Sequence, residues 1–193
     1  MEKSSETKKN ILETATRLFA SKGYDGVGVQ EICNESNITK PTLYYYFTSK
    51  AGLLSAILEE TGFQMLKSFE RCAEYRHDFI GSLTSILKGS IEFARLQPDF
   101  YRLSCALQNV SSESESGKIY RDFSEKLEKI FQRFFEQSVS EIGNMKGKEI
   151  LFSRIFFQTC LAVSMDIISG RLQDENEICT SIIHSFAYGV VAG

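Results

Sequence analysis

Hydrophobic residues recur along most of this chain at the three- and four-residue spacing of amphipathic helices. The first such segment, from about Thr7 to Ser21, places Ile11, Ala15, Leu18 and Phe19 on one face. No segment sustains the alternation of period two that indicates a strand, and no Asn-Gly or Asp-Gly pair joins two β-branched runs. The pattern therefore predicts an all-α fold.

The same spacing predicts further helices, separated by Gly, Pro and polar clusters. Gly62 is expected to kink the longest helix, residues 50–76. Pro98 is expected to end the next helix, residues 79–96. The polar run Ser111–Gly117 is expected to be a mobile connection. The predicted helices cover residues 29–36, 39–47, 50–76, 79–96, 99–110, 119–143, 148–169 and 175–190.

The three short N-terminal helices are predicted to form a helix-turn-helix module. Asn37 is a suitable residue for a left-handed turn after the second helix. Thr39 is expected to cap the third helix, whose first turn accepts Pro41 at little cost. Ile38 and Leu43 have the spacing of a hydrophobic staple that fixes the entry angle of this helix.

Three consecutive tyrosines, Tyr44 to Tyr46, cannot all face the interior of the module. Successive helical side chains differ by about 100°, so three of them span about 200°. Leu43 and Phe47, four residues apart, supply the inward face. Some of the tyrosines are therefore expected to be exposed, where their hydroxyls can reach a partner such as the groove of DNA.

Composition narrows the class of protein without deciding its function. The chain has 193 residues, 42% hydrophobic residues and a net charge of −3, which is typical of a globular protein. Its N-terminus does not resemble a signal peptide, and the apolar run from Ile150 to Ile168 is interrupted by polar residues, so we expect a cytoplasmic protein without a membrane span. Five Cys without CxxC spacing are expected to be reduced thiols, and no cofactor or metal site is expected.

The run VGVQEICNESNITKPTLYYYFTSKAGLL, residues 27–54, resembles the signature of the TetR family of bacterial transcriptional regulators. The family signature is approximately T-V-x-x-I-A-x-x-A-G-V-S-x-G-T-L-Y-x-Y-F-x-S-K-E-x-L. This resemblance implies a DNA-binding domain at residues 1–48 and a ligand-binding and dimerisation domain at residues 49–193. It also implies a homodimer that binds near-palindromic operator DNA, most simply as a repressor released by a small apolar or aromatic effector.

The resemblance assigns DNA contacts residue by residue. Base edges are implied for Lys40, Pro41, Thr42 and Tyr45, and sugar-phosphate contacts for Thr39, Tyr44 and Tyr46. Phosphate contacts are implied for Lys50, at a helix N-terminus, and for the backbone N–H of Gly28. The chain departs from the signature in several places, and among these Gly28 replaces Thr, Asn37 replaces Gly and Ala51 replaces Glu.

Residues beyond the module are assigned more broadly. Aromatic and polar residues of the middle helices are expected to line an effector cavity: Phe63, Phe69, Phe93, Arg95, Tyr101, Gln108, Phe123, Phe131 and Gln158. The last two helices are expected to form the dimer interface through Ile155, Gln158, Leu161, Ile178, Ile182 and Phe186.

Two other functions stay open at this point. An all-helical enzyme could use the cavity for catalysis, although the sequence contains no recognisable nucleophile–base arrangement, acidic metal cluster or Gly-rich phosphate loop. We therefore do not expect an enzyme. A constitutive architectural DNA-binding protein would have the same module and no effector.

Overall fold

The structure, a computed structural model, describes residues 2–142 and 145–191. Within these ranges the chain is helical and contains no strand, as predicted. The predicted end of a helix at Gly143 lies outside the described residues. The helices are α1 (Glu2–Lys22), α2 (Val29–Glu35), α3 (Lys40–Phe47), α4 (Lys50–Ile57), a π-helical turn (Leu58–Gly62), α5 (Phe63–Cys72), α6 (Phe79–Leu96), α7 (Pro98–Leu107), α8 (Glu115–Ser138), α9 (Glu149–Ile168) and α10 (Glu175–Val191).

The helix predicted from residue 50 to residue 76 is interrupted where Gly62 suggested a kink. The π-helical turn Leu58–Gly62 separates α4 from α5. A Cβ atom at Gly62 would lie 2.9 Å from Cε2 of Phe123 and 3.4 Å from Cζ of Phe100. Only glycine therefore permits this close approach of the helix to the two aromatic rings.

Two other helix boundaries differ from the prediction for local reasons. Helix α7 begins at Pro98 itself, because proline is well suited to the first position of a helix. Helix α8 begins at Glu115, inside the predicted polar connection, because the hydroxyl of Ser114 accepts a hydrogen bond from the backbone N–H of Gly117 at 3.1 Å. Part of the expected mobile connection is thus a capped helix.

The contacts divide the chain into two compact units. The first unit is Met1–Gln64 with Asp99–Ser124, and the second is Met65–Pro98 with Glu125–Gly193. In the first unit, side chains from α1, α2, α3 and α7 are fully buried, among them Phe19, Ile32, Leu43 and Tyr101. The functional boundary expected at residue 48 stays a prediction.

The second unit is organised around α6, which packs against α9 and α10. Ser90 of α6 and Ser164 of α9 are both buried, and their hydroxyls are 2.9 Å apart, so small side chains allow the two helices to approach closely. By length and composition alone α9 is apolar enough to cross a membrane. Part of its apolar surface is buried within the unit, through residues that include Phe156, Cys160 and Val163, whereas Ile150, Leu151 and Ile155 are exposed.

Candidate nucleic-acid interface

Gly28 is the N-cap of α2, and no side chain caps this helix. Gly28 has extended backbone angles (φ −92°, ψ 152°), and its carbonyl accepts hydrogen bonds from the N–H groups of Glu31 and Ile32. A Cβ atom at Gly28 would have no neighbour within 4 Å. The Thr of the family signature would therefore fit here, and the loss of its hydroxyl leaves α2 without a side-chain cap.

The turn between α2 and α3 has the backbone conformation that its sequence predicted. Asn37 has φ +53°, in the left-handed region. The N–H of Ile38 donates to the carbonyl of Cys33 at 2.9 Å, which closes the end of α2. Asn37 thus performs the backbone role of the glycine in the family signature.

Helix α3 is capped and anchored as expected. The hydroxyl of Thr39 accepts a hydrogen bond from the N–H of Thr42 at 3.4 Å, and the two threonine hydroxyls are 2.9 Å apart. Leu43 and Phe47 are buried. Because these two residues face inward, the opposite side of α3 is presented outward, and Lys40 and Pro41 are exposed there.

The three tyrosines have three different environments. Tyr45 is 81% exposed and Tyr44 is 45% exposed, so both are accessible to a macromolecular partner. Tyr46 is only partly exposed, its hydroxyl lies 2.9 Å from Oγ of Ser4 in α1, and its ring packs edge-on against that of Tyr45 at 5.1 Å. The predicted phosphate contact of Tyr46 would therefore have to share a hydroxyl that already has a partner within the module.

Lys50, predicted to bind phosphate, makes three contacts with the turn between α1 and α2. Its Nζ donates to the carbonyl of Tyr24 at 3.1 Å and to that of Val27 at 3.2 Å. The same atom lies 4.1 Å from the centroid of the Tyr24 ring, a cation–π distance. An ammonium group has three N–H donors, so one donor remains beyond the two carbonyls. Lys50 thus holds the turn that precedes α2, a role the sequence did not reveal.

Tyr24 extends this arrangement to α8. Its side chain is 4% exposed, and its hydroxyl donates to Oε2 of Glu115, the first residue of α8, at 2.5 Å. Burial, together with the hydrogen bond to the Glu115 carboxylate, raises the pKa of Tyr24 above its ordinary value. Neither residue was predicted to be functional, because 91 positions separate them and no local pattern relates them.

The connection from α3 to α4 is unusually tight. Thr48 has φ +63° and ψ −40°, and the N–H of Ser49 donates to the carbonyl of Phe47 at 2.6 Å, which closes a three-residue turn. The hydroxyl of Ser49 caps α4 by accepting from the N–H of Gly52 at 2.9 Å. A Cβ atom at Gly52 would lie 2.1 Å from the Phe47 carbonyl oxygen. Ser49 therefore caps α4 even though Ala51 replaces the glutamate of the signature.

Most cations around the module are neutralised, but Lys40 is not. Arg17 pairs with Glu35 at 2.9 Å and Lys8 pairs with Glu60 at 3.6 Å. In the described part of the chain, no carboxylate lies within 4 Å of the Lys40 ammonium. The positive charge of Lys40 is thus available at the start of the exposed face of α3.

The nine predicted effector residues are divided between the two units. The first unit contains Phe63, Tyr101, Gln108 and Phe123, and the second contains Phe69, Phe93, Arg95, Phe131 and Gln158. Tyr101, Phe69, Phe93, Phe123 and Phe131 are buried and Gln108 is partly exposed. Phe63 is 55% exposed, Gln158 is exposed, and Arg95 pairs with Glu175 at the surface. These three lie on the exposed sides of their helices, and their chemical type, on which the prediction rested, does not determine which side of a helix they occupy.

The second unit also has a groove that the sequence did not predict. It has a volume of about 360 Å³, lies between α6 and α10, and contains none of the nine predicted effector residues. It is lined by Ile80, Thr84, Lys88, Cys179, Thr180, Ile183, His184, Ala187 and Tyr188.

The predicted dimer residues lie on α9 and α10 with different exposure. Ile155 is 45% exposed and Gln158 is exposed, whereas Ile178 and Ile182 are partly exposed. Leu161 is 5% exposed and therefore contributes to the interior of its own unit. Phe186 is partly exposed and packs against three rings of the same unit: Phe135, Phe152 and Phe156.

The chemistry of the described residues gives no indication of a metal site. No group of three or more His, Cys, Asp or Glu residues is arranged to hold a metal ion within the ranges that the structure covers. All five Cys are free, and burial raises the pKa of the Cys105 thiol to about 12. Burial also raises the pKa of the other four thiols, which disfavours the thiolate form that reacts.

Comparison with known proteins gives the same picture of the module. The family described as "Bacterial regulatory proteins, tetR family" matches residues 11–57. The HTH-type transcriptional regulator YuxN of Bacillus subtilis is 51% identical over 53 residues, which cover 28% of this chain and 18% of YuxN. IcaR of Staphylococcus aureus, a negative transcriptional regulator of the biofilm operon icaADBC, is 28% identical over 143 residues, 68% of this chain and 70% of IcaR.

Solved structures extend the likeness of fold to the whole chain. A TetR-like transcriptional regulator from Rhodococcus sp. RHA1 has a TM-score of 0.75 and 17% identity, covering 97% of this chain and 96% of its own. AibR, solved with isovaleryl coenzyme A and operator DNA, has a TM-score of 0.71 and 22% identity, covering 92% of this chain and 96% of its own. At these identities the likeness establishes the fold.

Proposed function

We infer that this chain, which belongs to the TetR family of bacterial transcriptional regulators, is a ligand-responsive DNA-binding repressor. We propose further that it binds a near-palindromic operator as a homodimer in the cytoplasm. In this proposal a small apolar or aromatic effector releases the protein from DNA. The relatives are transcriptional regulators, so no catalytic step is part of the proposal.

The observation that carries the proposal is the division of α3 into two faces. Leu43 and Phe47 fix the helix from within, whereas Lys40, Tyr44 and Tyr45 are exposed on the other side. A helix held in this way fits the major groove, where Lys donates to guanine and tyrosine hydroxyls reach bases or phosphates. Lys40 supplies the positive charge that an otherwise acidic chain needs at this surface.

Dimerisation is proposed because one helix-turn-helix module contacts only half of a near-palindromic operator. Two recognition helices must lie about 34–36 Å apart to enter successive major grooves on one face of DNA. Exposed apolar side chains of α9, including Leu151 and Ile155, support a partner surface there. An effector would release the dimer if it bound more tightly to a conformation in which the two recognition helices are not about 34–36 Å apart. The loss of operator affinity is then set by how much more tightly the effector binds this conformation than the DNA-binding one.

The central test is binding to the DNA adjacent to the protein's own gene. Fluorescence anisotropy with that fragment and with a scrambled duplex of equal length should give a specific affinity that falls as salt rises. Lys40→Ala should reduce preference for the operator by about 1–3 kcal/mol. Lys129→Ala, which removes an exposed lysine from α8, is the matched control and should leave the preference unchanged.

The other parts of the proposal have separate tests. Light scattering should show a dimer at micromolar concentration, and a monomer both free and on DNA would contradict the proposed mode of binding. A panel of aromatic compounds and acyl coenzyme A thioesters, including isovaleryl coenzyme A, tests the effector. A compound that binds the protein and leaves its operator affinity unchanged would favour a constitutive DNA-binding protein.

A further inference from the structure

We propose that Glu115 is a positioning residue for DNA binding and acts through the hydroxyl of Tyr24. This inference rests on the proposed function, because it concerns how the DNA-binding module is held. Glu115 is exposed on α8, outside the segment that resembles the family signature and outside residues 11–57 that match the family. Its effect on DNA is therefore expected to be indirect.

Tyr24 contacts its neighbours through three different groups. Its hydroxyl donates to Oε2 of Glu115 at 2.5 Å, its carbonyl accepts from Nζ of Lys50 at 3.1 Å, and its ring lies 4.1 Å from the same Nζ. The ring also packs against Phe19 of α1, with centroids 5.1 Å apart. One buried residue thus links α1, the start of α4 and the start of α8.

The segment that Tyr24 begins leads directly into α2. Val27 is 1% exposed, its carbonyl accepts the second hydrogen bond of Lys50, and Gly28 follows as the N-cap of α2. Because Gly28 has no side chain to cap the helix, the position of α2 depends on how the preceding turn is held. Lys50 holds this turn from α4, and Glu115 holds it from α8.

The chemistry of the Tyr24–Glu115 bond makes it stronger than an ordinary hydroxyl contact. A hydrogen bond to an ionised carboxylate is charge-assisted, and a buried hydroxyl that loses its acceptor pays a desolvation penalty. Glu115 lies in the first turn of α8, where the helix dipole favours its negative charge. A displacement of this first turn would therefore change the position of the turn before α2.

A double-mutant cycle on the full-length protein tests the proposal. Tyr24→Phe removes only the hydroxyl and keeps the ring beneath Lys50, and Glu115→Ala removes the acceptor. We expect each single variant to bind the operator about tenfold more weakly than the wild-type protein. The double variant should bind no more weakly than the single variant with the lower affinity, because both substitutions remove the same hydrogen bond. Glu115→Gln, whose amide oxygen can still accept the bond, should recover most of the loss.

Controls separate positioning from charge and from folding. Glu113→Ala removes an exposed carboxylate two residues away that pairs with Lys118 at 3.7 Å, so it reports the effect of charge alone on DNA affinity. All affinities are compared at a temperature where circular dichroism shows every variant folded. Faster hydrogen exchange at residues 24–28 in Tyr24→Phe and Glu115→Ala, but not in Glu113→Ala, is the second expected result.

Failure of the positioning role of Glu115 can be distinguished from failure of the proposed DNA-binding function. If the wild-type protein does not bind operator DNA, the proposed function fails. If the wild-type protein binds and Glu115→Ala behaves like Glu113→Ala, or if the losses of Tyr24→Phe and Glu115→Ala simply add, the positioning role of Glu115 is wrong.

Discussion

The helix-turn-helix module and the second unit use different means to specify their structures. In the module, single residues determine the backbone: Asn37 adopts a left-handed conformation, Thr39 and Ser49 cap helices, and Gly52 lies against a carbonyl oxygen. In the second unit, rings from distant segments fill one core, for example Phe79 stacked on Phe134 with centroids 5.8 Å apart. The difference suggests that the module depends on residue identity, whereas the second unit depends on total volume.

This contrast agrees with what each region does in the proposed function. A recognition helix must be held at one angle, which caps and turns determine locally. A packed core can change its side chains as long as its volume is filled. The predictions below test the contrast, beginning with the largest expected effect.

The largest loss of stability is expected in the second unit. Phe135 is fully buried, and its ring lies within 6.1 Å of four others, those of Phe79, Phe134, Phe156 and Phe186. Phe135→Ala should lower the free energy of unfolding by about 3–5 kcal/mol, because it leaves a cavity. Phe135→Leu should cost only about 1–1.5 kcal/mol. Urea denaturation measures both, and equal losses would contradict a core governed by volume.

The second-largest loss of stability is expected from adding one methyl group next to the turn between α3 and α4. Gly52→Ala would place Cβ 2.1 Å from the Phe47 carbonyl oxygen, so the turn that joins α3 to α4 must move. We expect a loss of about 2–3 kcal/mol in the free energy of unfolding. The matched control is Gly28→Ala, whose Cβ has no neighbour within 4 Å, and it should cost less than about 1 kcal/mol. Similar losses for the two variants would show that the module tolerates backbone changes.

The sequence predicted much of the module because its signals are local. A cap, a proline in the first turn and an asparagine at the turn each act within four residues, so the positions of α3 and of the preceding turn followed from the sequence. The positive φ of Thr48 could not be predicted, because β-branched residues rarely adopt it. The contacts of Lys50 with Tyr24 and of Tyr24 with Glu115 depend on tertiary packing, which one sequence does not specify.

The assignment of the effector residues stays a prediction, and it rests on a weaker signal than the assignment of the module. Their assignment rested on aromatic and polar composition, which does not say which side of a helix faces a cavity. Phe63 illustrates this point, because Gly62 packs against Phe123 and Phe100 and the next residue on the helix is turned outward. The groove between α6 and α10 is formed by segments about 100 residues apart, so no local pattern indicated it.

Loss of a helix cap should give a smaller effect that again depends on residue identity. Thr39→Ala removes the acceptor for the N–H of Thr42 and should cost about 1 kcal/mol in the free energy of unfolding. Thr39→Ser keeps the hydroxyl and should restore most of that stability. Thermal unfolding followed by circular dichroism measures the difference. If Ala and Ser were equivalent at this position, the cap would contribute nothing to the module.

Removing a buried serine hydroxyl should affect stability differently in the two regions, and the smallest change is expected in the module. Ser36 in the module is 3% exposed, and its hydroxyl has no hydrogen-bond partner among the described residues, so Ser36→Ala should leave stability unchanged or raise it by up to about 1 kcal/mol. Ser90 in the second unit is also buried, but its hydroxyl lies 2.9 Å from that of Ser164, so Ser90→Ala should cost about 1 kcal/mol. Paired urea denaturation curves give both values. Should Ser36→Ala be the more damaging change, its hydroxyl must have a partner in solution, and the module would depend on a polar contact that the packing around α2 does not reveal.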